Sequence, residues 1–400
     1  MKHIFEAARE IPCIDSYDTV VCGGGIAGIS AALASARQGA KTLLIEREYM
    51  LGGLATAGLI AIYLPLCDGL GHQVSFGIAE ELLRLSIEKG SECRHLPEYW
   101  KGEGTVEERA KKRYEVQYNP QVFAILAEKL LIKEGVDLLY GTIVCNTVCE
   151  NGKITHLITE NKSGRQAIKT KAVVDATGDA DIVHLCGEKE ALFGQGNILA
   201  GWYYEFFGGK VNMRMLGACD VPDGDKELKK PKLLTNRRFS GLDGKELTEQ
   251  VILGHDVSLN NFLDKGDVSD EHSMVTLPTI PQVRMTRRID GVSVMADTDK
   301  HKEFDDSVGL FSDWRKRGPV YELRFSALHG EKIKNLICAG RNISTTDAMW
   351  DITRVIPVCA VSGEAAGVAA AISDDFTKTD YNRLSEILRH NGFVLHEREL

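Results

Sequence analysis

The sequence predicts an α/β protein in which a mostly parallel sheet carries a three-stranded antiparallel meander and is interrupted by an inserted mixed α+β domain. Three features predict this class: a glycine-rich strand–turn–helix–strand unit near the N-terminus, strand-like alternation over residues 136–174, and a strand with an Ala- and Gly-rich helix after residue 335. The chain has 400 residues, of which 44% are hydrophobic. It is therefore long enough for about two or three domains.

The N-terminal unit is a βαβ motif with a nucleotide-binding fingerprint. An apolar run ends in Gly23, Gly25 and Gly28, which form the pattern GxGxxG, and the predicted helix stops at Gly39. A second apolar strand ends at Glu46. In such units the glycines allow a tight turn, close approach to a pyrophosphate and tight helix packing, and an acid about 20 residues further on binds ribose hydroxyls. The unit predicts a Rossmann-like dinucleotide-binding domain.

Two further segments of small residues are predicted to lie beside the nucleotide. Residues 51–58 are rich in glycine, and they either contact the nucleotide or form a plain turn. A helix is predicted over residues 120–133, with an apolar stripe of Val122, Ile125, Leu126, Leu130 and Leu131. The meander that follows is broken at residues 151–152 and 162–164. Its last strand leads into an apolar run that stops on the small turn 175–179.

The α/β pattern returns only near the C-terminus, so the nucleotide-binding domain is predicted to be discontinuous. It comprises residues 14–72, 115–187 and 331–375, a substrate or cap domain comprises residues 73–114 and 188–330, and residues 376–400 form a helical tail. Pro357 suits the first turn of a helix predicted to end near Ile372. Basic and acidic residues intermix between Asp220 and Gln250, which predicts a solvated loop and not an anion-binding patch.

Composition and motif content exclude several classes of function. The chain carries 48 Lys and Arg against 57 Asp and Glu, a net charge of −9, with no long basic block, so nucleic acid is not an expected partner. The ten cysteines lack the spacing of disulfide or zinc frameworks, which predicts reduced thiols in the cytoplasm. Signal-peptide, membrane-spanning and metal-ligand patterns are absent, so no export, membrane span or metal site is expected.

Together the motifs resemble FAD-dependent oxidoreductases with the glutathione-reductase type of nucleotide fold, and more distantly fumarate reductase flavoproteins. The resemblance rests on residues 23–28 with Glu46, on residues 175–179, and on residues 339–367. It implies FAD as the cofactor. The fingerprint and the resemblance together assign cofactor contacts to Gly23, Gly25, Gly28, Glu46, Arg47, Gly52, Gly53, Thr56, Ala176, Thr177, Gly178, Asp179, Gly340, Arg341, Arg354 and Gly363.

The candidate catalytic residues are His72, Arg288 and Arg354. His72 follows the small-residue loop and ranks ahead of His329 as a base, with a surface histidine as the alternative. A predicted strand over residues 283–289 places Arg284 and Arg288 on one face, where either receives an anion or forms an ion pair with Asp290 or Asp297. Arg354 either contacts the flavin or pairs with Asp351 at the surface.

The predicted function is hydride transfer between flavin N5 and a small polar organic substrate, for which the arginines make an anion a candidate. A thiol activated by the start of a helix at Cys359 is a weaker alternative to simple packing. A flavin- or NAD-binding protein with an assembly or sensing role is the alternative function. The sequence leaves the electron acceptor and the oligomeric state open.

Overall fold

The fold combines a large mixed sheet with several smaller antiparallel sheets. The computed structural model describes residues 3–102, 104–217 and 233–400. Within these residues the strands, numbered in chain order, are β1 (Cys13–Cys22), β2 (Thr42–Ile45), β3 (Ile62–Tyr63), β4 (Val116–Gln117), β5 (Asp137–Leu139), β6 (Ile143–Glu150), β7 (Lys153–Asn161), β8 (Gly164–Asp175), β9 (Glu190–Leu192), β10 (Tyr203–Phe207), β11 (Lys210–Arg214), β12 (His272–Thr276), β13 (Arg287–Ile289), β14 (Ser307–Ser312), β15 (Val320–Arg324) and β16 (Leu336–Cys338). The helices are α1 (Ile26–Arg37), α2 (Ile78–Ser86), α3 (Val106–Arg109), α4 (Pro120–Lys133), α5 (Asp181–Cys186), α6 (Gly244–Leu263), α7 (Asp347–Thr353), α8 (Ile356–Ile372) and α9 (Tyr381–His390).

The large sheet has seven strands in the order β5-β2-β1-β8-β7-β6, with β16 also paired to β8. Strand β8 joins its two parts. The first half of β8, up to Lys169, pairs antiparallel with β7, and the second half, from Val173, pairs parallel with β16. Strand β1 runs parallel along the other side of β8. The predicted parallel sheet with a three-stranded meander is confirmed, and one continuous strand serves both parts.

Helices α1 and α8 pack backbone against backbone beside this sheet. A methyl group added at Gly363 would overlap the carbonyl oxygen of Ala27, and one added at Gly367 would overlap that of Ala31. Because glycine has no side chain, the two helix axes approach closely. The spacing of four residues that places Gly363 and Gly367 on one face therefore serves helix packing.

Several segments predicted for the cap domain pack with the nucleotide-binding core. Helix α2 contributes Ile78, Leu82 and Leu83 to the same buried cluster as α1, α4 and α8. The hairpin β14–β15 packs against α8, and so does α9. These contacts cross the predicted boundaries at residues 73 and 331, because hydrophobic faces far apart in sequence bury one another there. The smaller sheet β11-β10-β12 lies against α6, where Phe262 stacks on His272.

The charged stretch between Asp220 and Gln250 is only partly loop. Residues 218–232 lie outside the described residues. Helix α6 begins at Gly244, because the Asp243 carboxylate caps it by accepting hydrogen bonds from the backbone N–H groups of Lys245 at 3.0 Å and Glu246 at 2.9 Å. The loop prediction is wrong for residues 244–250, where a capping aspartate outweighs the polar composition.

Among the described residues, no single helix is long and apolar enough to cross a membrane. Helices α7 and α8 reach that length and composition only as a pair, and they are bent by 90° at the break between them.

Candidate active site

A cavity of about 310 Å³ lies where the carboxyl ends of parallel strands β1, β2, β8 and β16 meet. Open α/β sheets place their ligand sites at this edge. The loops that follow these four strands, with the first turn of α1, line the cavity at residues 23, 25–27, 46–48, 176–179, 181–182 and 339–341. Residues 52–55, the start of α8, and residues 280–281 and 283–284 from the inserted segment close it. The cavity is thus shared between the core and the inserted part of the chain.

The glycine-rich turn leaves space beside the start of α1. Gly23 adopts a φ of +102°, which favours glycine, and an added side chain there would clash with the Ala176 backbone. A methyl group added at Gly25 would meet nothing within 4 Å. Gly25 is also the N-cap of α1 and provides no side-chain cap, so the first N–H groups of the helix face the cavity. Gly28 does not line the cavity and lies against the Gly23 carbonyl oxygen.

Glu46 closes one end of the cavity as a buried carboxylate. It accepts hydrogen bonds from the backbone N–H groups of Gly24 at 2.6 Å and Glu48 at 2.9 Å. Burial raises the pKa of Glu46, and these two hydrogen bonds oppose the rise. Arg47 lines the cavity next to it. The charge of Glu46 is therefore held by the main chain at the position where a ribose-binding acid is expected.

The small-residue loop after β2 folds back onto the glycine turn. The Gly52 N–H donates to the Gly24 carbonyl at 2.7 Å, and both Gly52 and Gly53 line the cavity. Gly52 has a φ of +102°, and a side chain there would overlap Thr56. Thr56 itself lies outside the cavity, because its hydroxyl donates to the Leu51 carbonyl at 2.5 Å and stabilises the loop from within.

The turn after β8 is organised by a fully buried carboxylate. Asp175 accepts hydrogen bonds from the Thr177 hydroxyl at 2.7 Å and from the Ile182 N–H at 2.9 Å. This holds residues 176–179 against the cavity, and all four line it. Asp181 lines it as well. Burial and the nearby carboxylates raise the pKa of Asp181 to about 6.

Asp179 connects this turn to the opposite wall of the cavity. Its carboxylate accepts hydrogen bonds from the Arg341 guanidinium at 3.1 Å and from the Thr286 hydroxyl at 2.7 Å. Arg341 also donates to the Arg284 carbonyl at 2.5 Å. Gly340, with a φ of +92°, lines the cavity beside Arg341. The inserted segment around Arg284 is thereby fixed to the core.

The far end of the cavity is formed by the start of α8 and two arginines. Val355 is the N-cap of α8 without a side-chain cap, and Val355, Ile356 and Arg354 all line the cavity. The Arg354 guanidinium binds the fully buried Asp351 carboxylate at 2.6 Å. Asp351 also binds Arg315 at 3.0 Å, so two cations share one anion. Arg354 therefore pairs with Asp351 as predicted, but at the wall of the cavity and not at the open surface.

Arg284 lines the same region from the inserted segment. It is 5% exposed, and its guanidinium carbon lies 5.4 Å from the ring centre of Trp202. One guanidinium N–H donates to the Gln282 carbonyl at 3.0 Å. The residue is therefore a cation held in place by an aromatic ring and the main chain at the wall of the cavity.

Comparison with known proteins identifies the family. The model of the FAD dependent oxidoreductase family matches residues 18–198 and 232–379. The chain belongs to this family. It is an FAD-dependent oxidoreductase, and its cofactor is FAD.

Individual relatives are distant. The tRNA uridine 5-carboxymethylaminomethyl modification enzyme MnmG of Streptococcus pyogenes is 27% identical over 190 residues, which cover 46% of this chain and 28% of that enzyme. The match thus spans less than a third of the relative. A geranylgeranyl bacteriochlorophyll reductase-like protein from Thermoplasma acidophilum is 15% identical, with 95% of this chain and 84% of that chain covered and a TM-score of 0.48. Aklavinone-11 hydroxylase, solved with FAD and aklavinone, is 14% identical, with 96% and 64% covered and a TM-score of 0.44.

The cavity residues fit FAD. The open space at Gly25 and the uncapped start of α1 would hold the pyrophosphate, because the helix N-terminus presents unpaired N–H groups to anions. The buried Glu46 carboxylate would receive the adenosine ribose. The uncapped start of α8 with Arg354 would then lie beside the flavin. Among the described residues, no group of three His, Cys, Asp or Glu side chains is arranged to hold a metal ion.

Some predicted site residues lie outside this cavity. His72 is half exposed and binds Asp68 of its own loop at 2.9 Å. Arg288 pairs with Asp347 at 3.1 Å and stacks on Trp350, neither of which was its predicted partner. The predicted strand is regular only over β13, so the alternation that joined Arg284 and Arg288 on one face does not extend between them. The structure supports neither His72 nor Arg288 as a catalytic residue.

Two more candidate residues, Gly363 and His329, lie outside the cavity. Gly363 contacts α1 and does not line the cavity. His329 is buried outside the cavity with Nδ1 3.0 Å from the Gly330 carbonyl oxygen, and burial lowers its pKa. Cys359 lines the cavity, and burial raises its thiol pKa to about 12, which favours the packing interpretation over the weaker alternative of a thiol activated by the helix. Sequence reasoning missed Asp181, whose only signal is its place two residues beyond the turn at Asp179.

Proposed function

We propose that this oxidoreductase transfers a hydride between flavin N5 and a small polar organic anion. The observation that carries the proposal is the position of Arg284, a buried cation at the wall of the cavity on the side where the inserted segment meets the core. Bound FAD supplies reversible two-electron chemistry at this end of the site. The inserted segment then supplies the substrate side.

The residues of the chain divide the work between binding and electrostatics. Arg284 suits a carboxylate because its guanidinium presents N–H donors in a planar fork, and the Trp202 ring restricts its orientation. The start of α8 and Arg354 place positive charge where negative charge develops on flavin reduction. Ile60, Ile62 and Leu64 give this region an apolar wall, which limits water.

A base for removing a substrate proton is supported less strongly. Asp181 is a carboxyl group at the cavity wall with a pKa raised to about 6, which suits proton transfer near neutral pH. It follows the turn that carries Asp179, on the side of Glu46 and Arg47. Asp181 is therefore assigned to the nucleotide end, and a solvent water at the Arg284 end is the proposed proton acceptor.

The test is a reductive half-reaction with the purified holoenzyme. Hydroxy acids, amino acids and their neutral amides are mixed anaerobically with the oxidised enzyme, and bleaching of the flavin band near ~450 nm is followed by stopped flow. We expect carboxylates to reduce the flavin faster than the matched amides. Equal rates for acids and amides would remove Arg284 as an anion site, and an FAD-loaded enzyme that no compound reduces would count against an organic hydride donor of this class.

A further inference from the structure

Two basic segments that are far apart in sequence form one surface. Residues 109–113 read RAKKR and residues 315–317 read RKR. The Arg317 guanidinium donates to the Ala110 carbonyl at 3.1 Å, and the Arg113 guanidinium donates to the Trp314 carbonyl. Both arginines also pack against Gly69, where an added side chain would clash with Arg317. We call the cations of this surface the basic patch: Arg109, Lys111, Lys112, Arg113 and Arg317.

Within the described residues, the cations of the basic patch are not neutralised by ion pairs. None of its five cations forms an ion pair with a carboxylate in the described part of the chain. Lys111, Lys112 and Arg317 are exposed. The acids of the neighbouring helix α3 are Glu107 and Glu108, so positive charge remains in excess. This contrasts with a chain whose net charge is −9. An acidic protein with one basic surface attracts and orients acidic partners.

The basic patch is connected to the cavity by one aromatic side chain. Trp314, whose carbonyl binds Arg113, donates its indole N–H to the Asp351 carbonyl at 2.9 Å. Its ring lies 5.8 Å from the guanidinium carbon of Arg354, which lines the cavity. Trp314 and Arg354 are thus the side chains between the basic patch and the proposed flavin end.

We propose that the basic patch is the docking surface for an acidic one-electron carrier protein that exchanges electrons with the flavin past Trp314 and Arg354. Two reduced carriers each give up one electron, and the flavin takes these two electrons and one proton from solvent to become the anionic reduced form. Redox partners bind through small interfaces and rely on charge for their encounter rate, which suits a compact patch of this kind. The proposal rests on the flavin lying at the Arg354 end of the cavity.

The experiment measures flavin reduction in the holoenzyme by pre-reduced ferredoxin, an acidic iron–sulfur carrier, as a function of ionic strength. Lys111→Glu with Arg317→Glu should lower the second-order rate constant about tenfold at low salt, because electrostatic steering is lost. At about 1 M salt the variant and the parent should converge, because the Debye length falls to about 3 Å. Lys162→Glu with Lys169→Glu, the same charge change at two exposed positions outside the patch, should stay within about twofold of the parent.

A cationic small reductant separates the possible failures. The methyl viologen radical cation should reduce the flavin of both proteins. Its rate with the patch variant should equal or exceed its rate with the parent. If viologen reduces neither protein, the flavin is not where the proposed function needs it, and both proposals fail. If ferredoxin reduces the patch variant and the parent at the same rate, and viologen reduces both, the docking proposal alone is overturned. An RNA hairpin bound in a patch-dependent manner, with unchanged ferredoxin rates, would also overturn it in favour of a nucleic-acid surface.

Discussion

The two ends of the cavity are built in different ways. At the nucleotide end, the groups that face the cavity are mostly main-chain atoms of Gly23, Gly25 and the turn 176–179, held in place by buried carboxylates. At the flavin end they are side chains, Arg284 and Arg354, that come from separate parts of the chain. A site made of main-chain groups follows from local turn geometry, and its position is therefore predictable from sequence. A site made of side chains from distant segments depends on tertiary packing, and sequence patterns largely do not reveal it.

The largest expected effect is loss of FAD binding when the nucleotide end of the cavity is altered. Gly25→Val should abolish FAD retention, because the new side chain enters the open space beside the start of α1. Gly25 has a φ of −66° and an extended ψ, which valine also adopts, so the fold should survive. The measurement is the FAD content of the purified variant by absorbance, with circular dichroism to check the fold. A variant that keeps full FAD would show that the pyrophosphate binds elsewhere.

The matched control is a glycine with the opposite surroundings. Gly367→Val forces a side chain onto the Ala31 backbone between α1 and α8, so it should destabilise the fold by about 3 kcal/mol or more. Urea unfolding of the apoprotein measures this loss. A stable Gly367→Val protein would mean that α1 and α8 separate easily, contrary to the close packing described here.

The next effect tests the flavin end. Arg284→Gln should raise KM for carboxylate substrates roughly tenfold to a hundredfold, because a charged hydrogen bond contributes about 1.5–3 kcal/mol. Arg288→Gln is the control, since Arg288 pairs with Asp347 outside the cavity, and its KM should stay within about twofold. Steady-state kinetics on the substrate found in the half-reaction screen measures both. A larger increase in KM for Arg288→Gln than for Arg284→Gln would indicate that Arg288 binds the anion.

This contrast explains what the sequence could predict. Local patterns are found where the sequence predicts them. They are the GxGxxG turn, Glu46, and the meander with its turn at Asn151 and Gly152. On α4 the predicted apolar stripe included Val122 and Ile125, which are exposed. The surface that covers α4 belongs to α2 and the core. The sequence of α4 alone does not reveal which of its faces those neighbours will bury.

Two of the three candidate catalytic residues, His72 and Arg288, lie outside the cavity for the same physical reason. His72 follows the cofactor loop in sequence, but the Asp68 carboxylate accepts hydrogen bonds from the backbone N–H groups of Leu70 and His72, and it also binds the His72 ring. The loop therefore folds onto itself and keeps the imidazole out of the cavity. Arg354 was predicted to contact the cofactor or to pair with Asp351. The structure has the Asp351 pair at the cavity wall, where Asp351 is shared with Arg315, and contact with the cofactor stays a prediction.

A buried acid on α8 gives a pH test of how the flavin end is anchored. The Glu364 carboxyl accepts a hydrogen bond from the Ile78 N–H at the start of α2 at 2.6 Å, and burial raises its pKa to about 8. The raised folded-state pKa means that unfolding releases a proton between about pH 4.5 and 8. The free energy of unfolding should therefore fall by up to about 1.4 kcal/mol per pH unit as pH rises through this range.

Glu364→Gln should remove this dependence, because the amide oxygen still accepts from Ile78 but does not titrate. Urea unfolding of parent and variant at several pH values between 5 and 8 measures the difference between the two slopes. The variant should become the more stable protein toward pH 8. Parallel curves for the two proteins would show that Glu364 does not titrate in this range.

The smallest expected effect concerns the flavin potential. Reduction leaves negative charge on the flavin, and Arg354 with the start of α8 stabilises that charge if the flavin lies at this end. The four charges of Asp313, Arg315, Asp351 and Arg354 balance, so Arg354→Met leaves one excess negative charge beside the cavity, while Asp351 keeps its ion pair with Arg315. The midpoint potential should fall by roughly 20 mV, which corresponds to about 1 kcal/mol for a two-electron couple.

The measurement is a potentiometric titration of parent, Arg354→Met and Arg288→Met, each with its FAD content checked. Arg288→Met removes the same charge outside the cavity and should leave the potential unchanged. The partial neutralisation of Arg354 by Asp351 keeps the shift small, because the flavin senses the ion pair more than the isolated cation. A potential that stays constant in Arg354→Met would place the isoalloxazine ring away from this residue, and the start of α8 would then face another part of the cofactor.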